Sequence, residues 1–189
     1  MATVHIPEEG RTITEKEAIA EYLSHLGITY ERWAASSPLP QNASAEAVLA
    51  AYAAEVERLK QKGGYVAADV INVNSQTVGL AEMLVKFKRE HWHDEDEVRF
   101  IVDGRGLFHI RPSSGPVIGI EVTAGDLICV PAGTWHWFNL CSDLEIKAIR
   151  LFQRTDGWTP YYTESNVDLS YEPVCLGASY IPHAQREQV

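Results

Sequence analysis

The stretch His91-Trp92-His93-Asp94-Glu95-Asp96-Glu97 constrains this chain more than any other. In a β-strand, residues i and i+2 share a face, so His91 and His93 project side by side. Asp94-Glu95-Asp96 is too polar for a buried strand and reads as a solvated acidic turn. Glu97 then opens the next strand and returns beside the histidines. From Glu90 onward the hydrophobic period is two. Val98, Phe100 and Val102 alternate with Arg99, Ile101 and Asp103. Gly104-Arg105-Gly106 is expected to turn the chain, with 107–111 as the return strand. Further strands are predicted at 117–122, 127–130, 135–140 and 144–152, separated by Gly- and Pro-containing turns. Such a run of short strands argues a β-barrel or sandwich.

The first 88 residues read differently. Thr14-Glu15-Lys16-Glu17 has the spacing of a capping box, and Ile19, Tyr22, Leu23 and Leu26 follow at helical period until Gly27. Ser44 can cap a single helix over 45–62, with Val48, Leu49, Tyr52, Val56 and Leu59 as its apolar stripe. A third helix is expected over 77–87, with Leu80, Met83, Leu84 and Phe87 on one face. Short strands fit 2–6, 30–33 and 69–73, and a Ser/Pro loop runs through Gln41. The tail from Thr155 carries four tyrosines and Trp158 but little periodicity. One domain over 1–189 is therefore expected: a helical portion with flanking strands (1–88), a β-barrel core (89–153) and an irregular tail packed on it (154–189).

The charge balance narrows the partners. A net charge of -10 argues against nucleic acid and anionic membranes, which require a basic surface. No run of 18 apolar residues is present, and Met1 to His5 lacks the regions of a signal peptide. Cys129, Cys141 and Cys175 make an odd set without C-x-x-C spacing, which reads as reduced thiols in a cytoplasmic protein. Cys129, in Leu127-Ile128-Cys129-Val130, reads as a small core residue.

Two imidazoles and one carboxylate on one side of an ion, with other positions open, form the donor set of non-heme iron(II) oxygenases. His136, after the turn Pro131-Ala132-Gly133-Thr134, is a fourth candidate. A single histidine is usually a surface or satisfied core residue, and His5, His25 and His183 are read so; His109 is left open. Glu95 competes with Glu97 for the carboxylate role, and Glu97 is preferred because an apolar strand follows it.

These residues resemble the two motifs of the cupin superfamily. His91, His93, Glu97 and Gly104 match G-x5-H-x-H-x3-E-x6-G, and Gly125, Pro131, Gly133 and His136 match G-x5-P-x-G-x2-H-x3-N. Val85 stands where the first motif has its leading glycine, and Asn139 comes one residue early. A closer resemblance covers nearly the whole chain. Glu90-His91-Trp92-His93-Asp94-Glu95-Asp96-Glu97-Val98-Arg99-Phe100 looks like the E-H-x-H-x-x-D-E-V-R signature of acireductone dioxygenases, as do His136-Trp137-Phe138, Arg150-Leu151-Phe152 and Gly157-Trp158.

The resemblance implies a mainly β fold with helices (α+β): a cupin double-stranded β-helix, or jelly-roll barrel, with N-terminal helices. It implies a dioxygenase of methionine salvage that holds one iron(II) or nickel(II) per chain on His91, His93, Glu97 and His136. The substrates would be O2 and acireductone, 1,2-dihydroxy-3-keto-5-methylthiopentene, with a different product set for each metal. A monomer with no nucleic-acid or membrane partner is expected. Arg99 fits either contact with an enediolate or a buried ion pair with Asp96 or Glu90. Arg150 fits the same two roles, with structure favoured. Glu90 is a candidate to orient a histidine through its other N–H. Phe87, Phe138 and Trp158, and beside them Trp137, are candidates to wall the substrate pocket or to be core. Another cupin dioxygenase or isomerase, or a metal-holding cupin without activity, are the competing readings.

Overall fold

The computed structural model describes residues 1–35, 39–40 and 42–176. His183, the end of the tail at 177–189 and the middle of the expected Ser/Pro loop lie outside the described residues. The strands are β1 (Thr3–Ile6), β2 (Arg11–Ile13), β3 (Thr29–Arg32), β4 (Ala67–Val73), β5 (His91–Trp92), β6 (Glu97–Arg111), β7 (Ile118–Thr123), β8 (Asp126–Val130), β9 (Trp135–Leu140), β10 (Ile146–Phe152) and β11 (Tyr161–Tyr162). The helices are α1 (Lys16–His25), α2 (Ala45–Ala51), α3 (Ala53–Gly63) and α4 (Leu80–Lys88). All the strand pairs are antiparallel.

β6 organises the barrel. Its first half pairs with β8 and β10 in a sheet ordered β4-β10-β6-β8-β3. Its second half pairs with β7 and β9 in a sheet ordered β11-β5-β9-β6-β7-β1-β2. The expected turn at Gly104-Arg105-Gly106 is therefore corrected: one strand of 15 residues passes through it and joins the two sheets. The pairing explains how. Lys147 faces Asp103 while the next residue, Ala148, faces Ile101, so Val102 is an extra residue in the ladder. Such a bulge bends a strand and inverts its side-chain parity. Val98 and Phe100 pack outward against the helices, whereas Ile101, and then Phe108 and Ile110, belong to the barrel interior. Gly104 sits just beyond the bulge at φ 75, and a Cβ there would overlap the Glu145 backbone carbonyl. Only glycine fits both requirements.

Two apolar clusters hold the fold. The barrel interior collects Ile101, Phe108, Ile118, Ile120, Ile128 and Val130, closed by Ile19 and Leu23 of α1. The second cluster packs Val48, Tyr52, Val56 and Leu59 against Val98, Phe100, Leu127, Ile149 and Leu151. Phe100 anchors it, with Trp33 stacked at 4.8 Å and Tyr52 tilted at 4.5 Å. Burying one such ring contributes about 1.5–3 kcal/mol.

Several local expectations change. The stripe over 45–62 is real, but the helix breaks at Tyr52, whose ψ of 20 separates α2 from α3. Ser44 caps α2 by accepting from the Ala47 N–H at 3.3 Å. The capping box at Thr14 does not form; α1 begins after an extended Glu15 with no side-chain cap. The third helix starts three residues late, at Leu80, behind Gly79 at φ 74. The tail adds a short strand, β11, onto β5, and two 3-10 turns follow at Val167–Ser170 and Val174–Leu176. Cys141 and Cys175 form a disulfide, which corrects the reading of three reduced thiols; Cys129 is the free one. An odd count requires one unpaired thiol and leaves the other two undetermined. No described helix is long and apolar enough to cross a membrane.

Candidate metal centre

β5 and β9 bring His91 directly opposite His136. His93 follows β5, and Glu97 begins β6 inside the barrel. Their four donor atoms lie within 4.8 Å of one another, and all four side chains are buried. Two ligands each about 2.1 Å from one ion, on opposite sides, would be about 4.2 Å apart, so the spacing suits a single cation.

The imidazoles are pre-oriented. In each, Nδ1–H donates to a backbone carbonyl: His91 to Arg89 at 2.6 Å, His93 to Thr159 at 2.8 Å, His136 to Thr134 at 2.8 Å. That turns each Nε2 toward the cluster, the nitrogen whose lone pair a metal requires once its proton has left. Glu97 Oε2 stands 2.8 Å from His136 Nε2 and 3.3 Å from His93 Nε2. Burial opposes charge on Glu97, but Arg99 and the His136 and His93 imidazoles hold its pKa well below the usual carboxylate range. Burial, aided by His136, pushes His91 down to about 4, so it is neutral near pH 7. Neutral imidazoles and an ionised carboxylate are the forms that bind a divalent cation. The donor set therefore fits the metal that the sequence implies.

Of the turn between His93 and Glu97, only Asp94 is exposed as expected. Glu95 is buried and accepts from the backbone N–H groups of Gln153 and Arg154 at 2.8 and 3.1 Å. Asp96 accepts from Tyr65 and from the Ala132 N–H, each at 3.0 Å, and its carbonyl accepts the Trp158 indole N–H at 3.1 Å. The turn is pinned from three parts of the chain, which fixes the spacing of the ligands. The bonds by which Glu95, Asp96 and the Thr159 carbonyl hold the ligand loop and His93 were missed by sequence reasoning, because their partners are remote along the chain.

The other candidates separate. Glu90 reaches no imidazole. Its carboxylate accepts a fork from Arg111 at 2.5 and 2.8 Å and bonds from Thr163 and Ser165, so it anchors the tail beside β5. Arg99 is paired with Glu97, not with Asp96 or Glu90, at 2.5 Å. Arg150 faces Asp69 across β10 and β4 and forks onto it at 2.8 and 2.6 Å. Phe87 and Trp158 line a cavity of about 550 Å³ that reaches His91 and His93. Arg150, Asp69, Lys86, Phe152 and Tyr162 complete much of its wall. Phe138 lies deeper, in the barrel interior against Phe108 at 4.8 Å, and Trp137 stacks on His109 on the opposite face of the sheet.

Comparison with known proteins agrees with this geometry. The ARD/ARD' family model matches residues 5–160. An acireductone dioxygenase of Picosynechococcus is 41% identical over 176 residues, covering 93% of this chain and 100% of that protein. One from Pseudomonas aeruginosa is 43% identical over 159 residues, covering 83% of this chain and 86% of its own. The solved structure of an acireductone dioxygenase from Bacillus anthracis, with a cadmium ion in its active center, superposes with a TM-score of 0.81 at 37% identity, over 86% of this chain and 98% of that one. A cupin barrel that converges three imidazoles and a carboxylate, two of the imidazoles lining a cavity, with relatives alike over almost their full length, places this chain in the acireductone dioxygenase (ARD/ARD') family.

Proposed function

We propose that this protein cleaves acireductone with O2 in methionine salvage, as a cytoplasmic monomer holding one iron(II) or nickel(II) on His91, His93, Glu97 and His136. The observation that carries the reading is the convergence of those four donors, two of which, His91 and His93, line the cavity. Bound there, the metal would act as a Lewis acid and template for the substrate's neighbouring oxygens.

The chain's own residues do the rest. Three carbonyl-oriented imidazoles and one carboxylate leave part of an octahedral shell for substrate. Phe87, Phe152, Trp158 and Tyr162 offer the apolar wall against which a methylthio tail lies. Arg150 adds a cation to that wall while its fork rests on Asp69. Phe138 supports the barrel side of the site. Glu90 holds the tail segment whose Thr159 carbonyl orients His93.

Aerobic turnover of acireductone by protein loaded separately with each metal tests the proposal. Formate with 2-keto-4-methylthiobutyrate is expected with iron(II). Formate, carbon monoxide and 3-methylthiopropionate are expected with nickel(II). Persistence of the enediol absorbance with both metals would move the function to another cupin chemistry.

A further inference from the structure

We propose that Arg99 is a positioning residue that reserves one oxygen of Glu97, so that this carboxylate gives the metal a single bond and two coordination positions stay free for substrate. The inference rests on the metal reading above. Glu97 has two oxygens with two separate partners. Oε1 accepts from Arg99 Nε at 2.5 Å, whereas Oε2 faces His93 and His136 at 3.3 and 2.8 Å. A carboxylate without such a partner is free to bind a cation through both oxygens. That would take up one of the positions a chelating substrate needs.

The setting of Arg99 shows why it acts through Glu97. Its side chain is buried, and it does not line the cavity that reaches His91 and His93. Four rings surround the guanidinium: Phe138 at 5.3 Å, Trp158 at 5.4 Å, Phe108 at 5.7 Å and Phe87 at 5.9 Å. Contact with ring faces stabilises a cation, and the apolar box strengthens its attraction to the carboxylate. Glu97 and Arg99 lie two residues apart on β6, before the bulge, so strand parity keeps them on one side. The pair also has a charge consequence. Arg99 cancels Glu97, and with neutral imidazoles a divalent ion keeps both of its charges for an anionic chelate.

The test counts water on the metal. Manganese(II)-loaded wild type is expected to show two exchangeable waters by oxygen-17 electron-nuclear double resonance. Arg99→Met, which keeps the box filled without a donor, is expected to show one, with metal affinity lower by about 10- to 100-fold. Arg99→Lys should restore two. A crystal structure of the nickel(II)-loaded wild type provides a check that needs no variant: Glu97 Oε1 should remain on Arg99 and off the metal. Two waters in Arg99→Met, or both oxygens of Glu97 on nickel in the wild type, would overturn the inference while leaving the metal site standing. A wild type that binds neither metal would overturn the metal reading and this inference with it.

Discussion

Two regions of the barrel bury histidine, and among the described residues only one gathers a set of metal donors. His136 and His109 are each 2% exposed, and both lie in the sheet that pairs β6 with β9. Burial pushes His109 down to about 4, the value His91 also reaches. By burial the two regions are alike, and His91 matches His109 in acidity, whereas, against the cost of its burial, Glu97 raises His93. They differ in orientation. Each imidazole of the metal centre has Nδ1 on a carbonyl and Nε2 converging on Glu97. His109 points to the other face, stacked on Trp137 at 4.7 Å and 10°, and its Nδ1 has no partner among the described residues. A buried histidine becomes a ligand when a backbone acceptor selects its tautomer and its neighbours face the same point.

Exchanging the two histidines for apolar residues puts that contrast to its strongest test. His136→Ala should weaken nickel(II) binding by more than about 100-fold, beyond the cost of losing a partner outside the ligand shell, and should abolish turnover. His109→Phe, which preserves the stack on Trp137, should leave the affinity unchanged to within about twofold, because its side chain leaves the sheet on the face away from the ligands and shares no partner with them. Titration calorimetry reads both, and comparable losses would erase the distinction between the regions.

The regions also differ in how the tail holds them. Near the metal, β11 and the bonds of Thr163 and Ser165 to Glu90 tie the tail to β5. On the His109 face, Tyr171 packs near Trp137, and the Cys141–Cys175 disulfide closes a separation of 34 residues beside Leu107. Closing a loop of that length stabilises by about 3–4 kcal/mol in the chain-entropy account. Reduction with a thiol-free phosphine should therefore lower Tm by roughly 10 °C, with one metal per chain retained, because the strand contacts at the metal end do not depend on the disulfide. Loss of metal on reduction would show that the two ends are held as one.

The metal centre was the most legible part of the chain. His91, His93 and Glu97 are placed by strand parity and one turn, which are local properties, and the turn before His136 is equally local. What was illegible depends on pairing across the fold. The alternation from Val98 to Asp103 gives no sign that Val102 is a bulge, since the extra residue is defined only by the Lys147 and Ala148 register opposite it. Glu95 looks like one more acid in a solvated turn until the backbone of Gln153 and Arg154 arrives to use it. Glu90 precedes a histidine in sequence, yet strand alternation turns it to the opposite face, where Arg111 meets it. Tyr52 continues the apolar stripe of a long helix although the backbone breaks there.

Acid distinguishes the regions more gently. His109 titrates at about 4 in the fold, because burial disfavours its charge, against about 6.5 when unfolded. Between those values the unfolded chain binds a proton that the folded chain does not, so stability rises with pH across the window. This contribution is fully retained above pH 6.5 and is lost as pH falls toward 4, by at most about 1.4 kcal/mol per unit. His109→Phe should remove that slope while changing little at pH 7.5. Denaturant unfolding of the nickel(II)-loaded wild type and variant from pH 7.5 to 5 measures the difference, in which the proton uptake of the released ligands is common to both and cancels. A variant curve parallel to the wild type would mean that His109 accepts its proton within the fold. The Trp137 stack would then tolerate an imidazolium, and burial would not be what separates this face from the metal centre.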